Sequence, residues 1–267
     1  MLYYRKYEVR NGRAWAILVH GAGGSSSLWF KQIKAFQKNF NVLMVDLRGH
    51  GRSKDFLKAL CTQKFTMNDI SRDILEVMDY ENIEKAHFVG LSLGSIIIRH
   101  MAEIAPHRIL SLIMGGAVIN FTIKSQTLVK VGNFFKAILP YMWLYKLLAL
   151  AIMPRKSNKE SRILFIREAK KIGQKEFLRW YKLISEMNPL LKFLQRRELN
   201  IPTLYIMGEH DYLFLEPVRQ LVQNHKKTML KVIENCGHVC NVEAPEVFNN
   251  ACINFIKKHS LLTTKEI

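Results

Sequence analysis

Residues 86–94, Ala-His-Phe-Val-Gly-Leu-Ser-Leu-Gly, carry the pattern that decides the fold. Ala86–Val89 is a short apolar run typical of a buried strand, and Leu93–Ala105 has the apolar spacing of a helix. The G-x-S-x-G sequence of residues 90–94 joins the two. In such a strand–turn–helix elbow the serine takes a strained backbone conformation that projects its hydroxyl, and the glycines avoid clashes across the turn. The pattern therefore predicts that Ser92 is a nucleophile.

Similar short apolar runs, bounded by glycine or polar residues, predict further buried strands on both sides of this elbow. Patterns with helical spacing separate them. This alternation predicts an α/β fold with a mostly parallel sheet and helices on both of its faces, in which ligands bind at the carboxyl ends of the strands. The predicted strands are Trp15–Val19, Val42–Val45, Leu110–Met114, Thr203–Met207 and Met229–Ile233, and the predicted helices are Ser27–Asn39, Phe65–Tyr80, Pro217–Asn224 and Pro245–His259.

The alternation stops between residues 118 and 198, where no convincing strand pattern occurs. We interpret this stretch as a helical insertion after the strand Leu110–Met114. Residues 1–117 and 199–267 then form one core domain, and residues 118–198 form a helical cap. The helices predicted within the cap are Val131–Leu139, Tyr141–Met153, Glu160–Lys171 and Gln174–Met187.

A serine hydroxyl is a weak nucleophile, so it needs a base, and the base needs an acid that orients it. In this type of elbow the chain order is serine, acid, histidine. His238 lies in the loop after the last predicted strand, whereas His225 lies at a helix end and His259 near the C-terminus. We therefore predict that His238 is the base.

The acid is expected in the loop after the strand Thr203–Met207, which reads Gly-Glu-His-Asp over residues 208–211. We predict that Asp211 orients the histidine and that Glu209 is a surface carboxylate. The loop after Leu110–Met114 is the alternative location, but it offers no acidic residue before Asn120.

The third requirement is an oxyanion hole, formed by backbone N–H groups that point at the developing negative charge. We predict that Leu93, the residue after the nucleophile, supplies one donor and that Ala22 supplies the other. Ala22 lies in the loop of residues 20–25, whose small residues let the backbone approach the substrate closely. A phosphate cradle is the alternative for this loop, but its sequence lacks both G-x-G-x-x-G and a Lys-Ser/Thr ending.

The composition is that of a globular protein with an unusually positive charge. The 267 residues are 49% hydrophobic and 23% charged, which excludes a mainly disordered chain, a collagen and a disulfide-dense secreted module. The 40 Lys and Arg against 22 Asp and Glu give a net charge of +18, but no nucleic-acid motif accompanies it, so we predict no nucleic-acid partner.

The cysteines and the N-terminus favour a cytoplasmic protein. The 4 cysteines are too few for a disulfide framework, and the N-terminal residues do not have the pattern of a signal peptide. Cys236 and Cys240 flank His238, but a zinc site needs wider spacing and more ligands. We predict small buried thiols and no metal.

The insertion is both apolar and basic. It contains 17 Lys and Arg against 5 Glu, a net charge of +12. Val131–Met153 holds 18 apolar residues in 23, but Lys136, Pro140 and Lys146 interrupt it, so we predict two buried or interfacial helices rather than a membrane span.

Two further expectations concern this insertion. The apolar stretch Phe134–Tyr145 is expected to pack onto the core and to line, in part, a pocket for an acyl chain. The basic residues that follow form either a solvated face or a surface that associates weakly with an anionic membrane. These residues are Arg155, Lys156, Lys159 and Arg162.

Together these motifs resemble the α/β-hydrolase fold superfamily, and within it the small serine esterase and lipase branch with His-Gly after the first strand. The motifs occur in the family's order and span nearly the whole chain. The resemblance implies that the insertion is a lid and that residues 46–53 form a structural loop, so Asp46 and His50 are not predicted to be catalytic. Ser95 stands where the family more often has Gly or Ala. The matching motifs are residues 20–25, 46–53, 90–94, 208–211 and 237–238.

Our leading hypothesis is a cytoplasmic serine hydrolase that cleaves carboxylic esters of small to medium acyl chains through an acyl-enzyme, without a metal or an organic cofactor. A first alternative keeps the same residues for another reaction, namely C–C bond, thioester or amide hydrolysis or perhydrolysis. A second is a signalling or ligand-binding hydrolase homologue. The sequence does not identify the substrate, because this superfamily uses one core for many reactions.

Overall fold

The six predicted strands all form, together with one strand that was not predicted. This computed structural model describes residues 1–9, 12–54, 65–136 and 138–263, with side chains to residue 260. The sheet has seven strands in the order β1-β3-β2-β4-β5-β6-β7, and all neighbouring pairs are parallel except β1 with β3. The mostly parallel α/β sheet is therefore confirmed. The strands are β1 (Tyr4–Tyr7), β2 (Trp15–Val19), β3 (Asn41–Val45), β4 (Ala86–Leu91), β5 (Ile109–Gly115), β6 (Thr203–Gly208) and β7 (Thr228–Ile233).

Helices cover both faces of this sheet, which explains why the central strands are apolar on both sides. Successive side chains of a strand point to opposite faces, so Ile17 and Val19 pack into one layer and Ala16 and Leu18 into the other. Residues of α2, α3 and α9 complete the first layer, and residues of α1, α10 and α11 complete the second. These helices are α1 (Ile33–Gln37), α2 (Met67–Tyr80), α3 (Leu93–Ile104), α9 (Leu215–Asn224), α10 (Cys240–Glu243) and α11 (Pro245–Thr263).

Two details of the core differ from the expectation. The single helix predicted over Ser27–Asn39 is wrong, because a short 3-10 turn at Ser26–Trp29 precedes the short helix α1. The Ser25 hydroxyl accepts the Ser27 N–H and caps this turn, and Trp29 is fully buried against the sheet. The second difference is β1, a half-buried edge strand whose four residues carry no strong apolar signal. Cys61, which we expected to be a buried thiol, lies outside the described residues.

Five helices connect β5 to β6, where the sequence predicted a helical insertion. A cluster of side chains from α5, α6 and α7 packs together, apart from the two layers of the sheet. By contrast, Leu191 and Leu194 of α8 pack into the layer that contains α3. The division into a core domain and a cap therefore stays a prediction. The helices are α4 (Ile123–Phe135), α5 (Tyr141–Ile152), α6 (Lys159–Ala169), α7 (Gln174–Ser185) and α8 (Asn188–Arg196).

Pro140 separates α4 from α5, as the sequence indicated. However, α4 begins well before the predicted Val131, because the Thr122 hydroxyl caps its first turn by accepting the Ser125 N–H. The helix α8 was not predicted; Pro189 lies in its first turn, where proline is tolerated. Among the described residues, no helix is both long enough and apolar enough to cross a bilayer.

Candidate active site

Ser92 lies at the turn between β4 and α3 and has a strained backbone conformation. Its φ is 52° and its ψ −116°, a region that residues with a side chain rarely adopt. The glycines around it are required by close approach: a Cβ at Gly90 would lie 2.5 Å from the Gly94 carbonyl oxygen, and a Cβ at Gly94 would lie 2.2 Å from the Val19 oxygen. The turn is therefore as tight as the G-x-S-x-G sequence predicted, and it leaves the Ser92 hydroxyl at the edge of the sheet.

The structure brings the predicted nucleophile, base and acid together. Ser92 Oγ lies 3.0 Å from His238 Nε2, and His238 Nδ1 lies 2.7 Å from Asp211 Oδ2. With Nδ1–H donating to the carboxylate, Nε2 is free to accept the serine proton. The loop that carries His238 can come this close because a glycine follows β5 directly: a Cβ at Gly116 would lie 2.3 Å from the His238 carbonyl oxygen.

His238 and Asp211 are both buried, with 5% and 1% of their surface exposed. Burial by itself lowers the pKa of His238, but the neighbouring Asp211 carboxylate raises it more, so the pKa lies above its ordinary value of 6.5. The carboxylate thus stabilises the imidazolium that forms when the histidine takes a proton.

Glu209, the other acid of this loop, points away from the histidine. Its side chain is 48% exposed, and its carboxylate accepts the Asn235 N–H at 2.9 Å. The two neighbouring carboxylates therefore have different surroundings, and the one that follows β6 by three residues is the one that faces His238.

The two predicted oxyanion donors line the same cavity as Ser92. In the part of the chain that the structure describes, neither the Ala22 N–H nor the Leu93 N–H donates to another residue. The loop before Ala22 passes close to the nucleophile, since a Cβ at Gly21 would lie 3.2 Å from the Ser92 Cβ. Two unpaired N–H groups beside the hydroxyl can donate hydrogen bonds to an oxyanion that forms there.

Two buried histidines hold this loop as neutral acceptors. His50 Nε2 accepts the Gly23 N–H at 3.0 Å, and His20 Nε2 accepts the Leu47 N–H at 3.0 Å. Burial lowers the pKa of both, and for His50 burial together with the nearby His20 lowers the pKa to about 3. Asp46 holds the same region by accepting the Ser26 and Arg52 N–H groups. The predicted structural role of residues 46–53 thus has a physical basis.

Tyr145 on α5 is a contact of this loop that the sequence did not reveal. Its hydroxyl donates to the Ala22 carbonyl oxygen at 3.2 Å, so the peptide between Ala22 and Gly23 is held by Tyr145 on one side and by His50 on the other. Gly23 has a φ of +74°, and a Cβ there would lie 1.8 Å from the Tyr145 hydroxyl oxygen. The loop therefore has its observed conformation only with glycine at this position.

We expect Tyr145→Phe to lower kcat about fivefold with little change in KM. The substitution keeps the ring and removes one neutral hydrogen bond, worth about 1 kcal/mol, that orients the Ala22 donor. Steady-state kinetics on a short ester measure kcat and KM separately. The matched control is Tyr181→Phe, because Tyr181 also lines the cavity but donates to Val129 on α4. Equal effects of the two substitutions would contradict the positioning role of Tyr145.

The Ser92 hydroxyl opens into an apolar cavity of about 190 Å³. For comparison, an apolar cavity of about 150 Å³ is enough to bind benzene. The helices between β5 and β6 cover the cavity and supply most of its apolar walls. The residues of this wall include Leu128, Val129, Leu148, Ile152, Leu164, Phe165, Phe177, Trp180 and Ile184.

The one charged carboxylate of this wall is Glu168 on α6, and no Lys or Arg is among the described residues that line the cavity. Burial raises the pKa of Glu168, but the Lys171 ammonium and the Ser25 hydroxyl lower it more, so the pKa is below its ordinary value and the group is ionised at neutral pH. The contact between Glu168 and the Ser25 hydroxyl, 2.8 Å long, joins α6 to the loop of residues 20–25. This loop carries the predicted donor Ala22, and we call it the oxyanion loop. Glu168 is paired with Lys171 at 2.7 Å, so the described lining residues offer no free cationic side chain to an anionic ligand.

The apolar stretch Phe134–Tyr145 does not form the pocket as expected. Among its described residues, Tyr145 alone lines the cavity, while Phe134, Ile138 and Trp143 are 69%, 65% and 63% exposed. The cavity is instead lined by residues on the other sides of α4 and α5 and by α6 and α7.

The CGHVC sequence around His238 forms no metal centre in this structure. Cys236 and Cys240 are buried, and burial raises the pKa of both thiols, to about 12 for Cys236. Among the described residues, no group of three or more His, Cys, Asp or Glu side chains could hold a metal ion.

Comparisons with known proteins agree with this architecture. A family model described as the alpha/beta hydrolase fold matches residues 16–133. The chain is 29% identical over 248 residues to the dihydrolipoyllysine-residue acetyltransferase component of the acetoin cleaving system of Pseudomonas putida; the alignment covers 91% of the chain and 63% of that longer protein. It is 23% identical over 261 residues to a putative carbamate hydrolase RutD of Azorhizobium caulinodans, with 93% of both chains covered.

Among solved structures, the chain is similar to the enol-lactonase from Burkholderia xenovorans LB400. The TM-score is 0.79 at 23% sequence identity, and the superposition covers 96% of each chain. This likeness shows that the same fold extends over the whole sheet and the helices that cover it. The chain therefore has the α/β-hydrolase fold.

Proposed function

We propose that this α/β-hydrolase is a serine hydrolase that cleaves uncharged carboxylic esters of small to medium acyl chains through an acyl-enzyme. One observation carries the proposal: the chain of contacts from Ser92 Oγ to His238 Nε2 at 3.0 Å, and from His238 Nδ1 to Asp211 at 2.7 Å, at the wall of an apolar cavity. A serine within hydrogen-bond reach of an oriented base is the arrangement that nucleophilic catalysis requires.

In the first step, Ser92 Oγ attacks the acyl carbonyl carbon while His238 Nε2 takes the hydroxyl proton. The carbonyl oxygen becomes an oxyanion, which accepts hydrogen bonds from the N–H groups of Ala22 and Leu93. When the C–O bond to the alcohol breaks, His238 returns the proton to the leaving oxygen. Water then attacks the acyl-enzyme with the same base, and the carboxylic acid leaves.

The surroundings of Ser92 favour an uncharged acyl group. The walls are almost entirely apolar, and no Lys or Arg is among the described lining residues to pair with a substrate carboxylate. Relatives include a putative carbamate hydrolase and an enol-lactonase, so amide-like and lactone bonds belong to the substrate panel. The same catalytic groups would serve each of these reactions.

We expect kcat/KM for p-nitrophenyl esters to rise from acetate toward medium chains. Each CH₂ group buried in the cavity contributes about 0.8 kcal/mol, close to fourfold in affinity. With about 190 Å³ of room, the rise should stop at roughly six to eight carbons. The measurement is a chain-length series under identical conditions.

A matched pair of variants locates the acyl site. Leu148→Phe fills part of the cavity and is expected to move the optimum to shorter chains, whereas its neighbour Leu147→Phe, at a position 53% exposed, should leave the series unchanged. Acetate as the best substrate would exclude an acyl pocket. Turnover of a diketone, a thioester or an amide in the absence of ester hydrolysis would favour the alternative reactions, and ligand binding without turnover of any of them would favour a signalling homologue.

The cytoplasm is our proposed compartment. In the described part of the chain, Cys236, Cys240 and Cys252 are buried free thiols. Thiols of this kind persist in a reducing environment without forming disulfides.

A further inference from the structure

The helices α4 and α5, with Ile138 between them, expose large apolar side chains to solvent, and we call this surface the outer face. On α5 these side chains recur at intervals of four and three residues, at Trp143, Leu147 and Leu150, as on one side of a helix. Ile123 is 85% exposed, and Phe134, Ile138 and Trp143 are each more than 60% exposed. Exposed apolar side chains concentrated on two successive helices are typical of an interaction site. The outer face consists of Ile123, Val131, Phe134, Phe135, Ile138, Trp143, Leu147 and Leu150.

The opposite sides of the same two helices line the cavity at Ser92. On α4 these are Ser125, Leu128 and Val129, and on α5 they are Tyr145, Leu148 and Ile152. Each helix is therefore apolar on both sides, although only one side is covered by the protein. A helix that is apolar all round is expected to be buried, so the outer face lacks a partner.

The charge around the outer face identifies the chemistry of this partner. Between residues 118 and 159 the chain carries 7 Lys and Arg and no Asp or Glu. Lys124, Lys130 and Lys146 are exposed on the two helices, and the Lys146 ammonium lies 5.6 Å from the centre of the Trp143 ring. Apolar and tryptophan side chains flanked by lysines are the composition of helices that lie in the interface of an anionic bilayer.

We infer that the outer face docks onto a bilayer surface that contains anionic lipids. A second copy of this chain fits less well, because it would bring two groups of positive charges together with no acidic residue between residues 118 and 159 to pair with them. Docking of this kind places the outer walls of the cavity against the layer in which lipid acyl chains lie. The use of this placement for a lipid-derived substrate rests on the proposed esterase function, whereas the docking itself does not.

The test is co-sedimentation of the full chain with vesicles of phosphatidylcholine alone or of phosphatidylcholine mixed with phosphatidylserine, at low and high salt. We expect binding to the mixed vesicles that weakens as salt screens the charges. The double substitution of Lys130 and Lys146 by Gln should lower partitioning about 25-fold, since each lysine near the surface contributes about fivefold. Trp143→Ser combined with Leu147→Ser should lower it at least about tenfold by removing apolar contact.

Matched controls have the same chemistry elsewhere on the surface. Lys257→Gln with Lys258→Gln removes two exposed lysines of α11, and Tyr80→Ser removes a ring that is 66% exposed on α2. These controls should bind vesicles like the wild type. Equal binding to neutral and anionic vesicles, no binding to either, or equal losses in controls and outer-face variants would overturn the proposal, as would a dimer in ultracentrifugation that Trp143→Ser dissociates.

Hydrolysis of a short water-soluble ester separates this proposal from the proposed function. The outer-face side chains do not line the cavity, so their variants should hydrolyse p-nitrophenyl acetate at the wild-type rate. A wild-type chain that binds anionic vesicles but cleaves no ester would retain the docking surface and refute the esterase. An active esterase whose outer-face variants bind vesicles normally would refute the docking surface alone.

Discussion

Replacing Ser92 with alanine is expected to lower kcat for ester hydrolysis by at least about 10⁴. The substitution removes the atom that forms the acyl-enzyme, so only the oxyanion donors and substrate binding still accelerate the reaction. Steady-state or single-turnover kinetics on a p-nitrophenyl ester measure the loss. Circular dichroism should show an unchanged fold, because alanine is smaller and the strained turn is enforced by the close contacts at Gly90 and Gly94.

The control for this experiment is another serine of the same cavity. Ser125 on α4 lines the cavity, and its hydroxyl donates to the Thr122 carbonyl oxygen at 3.1 Å. Ser125→Ala should keep kcat within a few-fold of the wild type. A similar loss in both variants would show that the cavity, rather than the Ser92 hydroxyl, determines the rate.

Asp211→Asn is expected to lower kcat by about 10⁴, whereas Glu209→Gln should change it by less than about tenfold. The asparagine amide is neutral, and its NH₂ group can donate to His238 Nδ1 and leave the proton on Nε2. The imidazole then loses both its productive tautomer and the stabilisation of its charged form. Glu209 accepts the Asn235 N–H and lies 3.7 Å from His210 at the surface, and its substitution is expected to leave His238 in place. Reversed losses would make Glu209 the acid.

The pH profile gives this prediction a second readout. The base must be neutral to accept a proton, so kcat/KM rises as the pH rises through the pKa of His238, which Asp211 holds above 6.5 despite burial. Asp211→Asn removes the carboxylate that raises the pKa of His238 most, while burial still lowers it. The midpoint of the acidic limb should therefore move to lower pH in the variant. An unmoved midpoint would show that His238 is not the titrating base.

The sheet and its active-site loops could be predicted from sequence because their signals are local. A buried parallel strand is an apolar run, and the chain turns where glycine allows close contact. Ser92, Asp211 and His238 each follow such a run directly, so their meeting at one edge of the sheet follows from the parallel order of β4, β6 and β7.

The helices between β5 and β6 were predicted less well, because apolar residues on a helix do not reveal which side is covered. Phe134 and Trp143 are large apolar residues of the kind that line a pocket, yet both are exposed to solvent. The cavity is lined instead by residues such as Leu128 and Leu148 on the other sides of the same helices. The start of α4 was also predicted wrongly. The cap at Thr122 is a single side-chain contact, which a periodic pattern does not detect.

The contacts that hold the oxyanion loop could not be predicted at all. Tyr145 is 123 residues from Ala22 in the sequence, and Glu168 is 143 residues from Ser25. No short motif connects such positions, and only the packing of α5 and α6 over the sheet brings them together. His50 was excluded from the catalytic residues on resemblance, yet its Nε2 accepts the Gly23 N–H and positions the loop that carries the Ala22 donor.

The central claim is that Ser92 is an activated nucleophile, and covalent labelling measures this directly. The wild-type chain is treated with a fluorophosphonate, digested, and mapped by mass spectrometry to find the modified residue. We predict one phosphonyl adduct, on Ser92, that forms at least about 10²-fold more slowly in His238→Ala, because the serine then lacks its base. An adduct on a different serine, or labelling of Ser92 that does not depend on His238, would contradict the account.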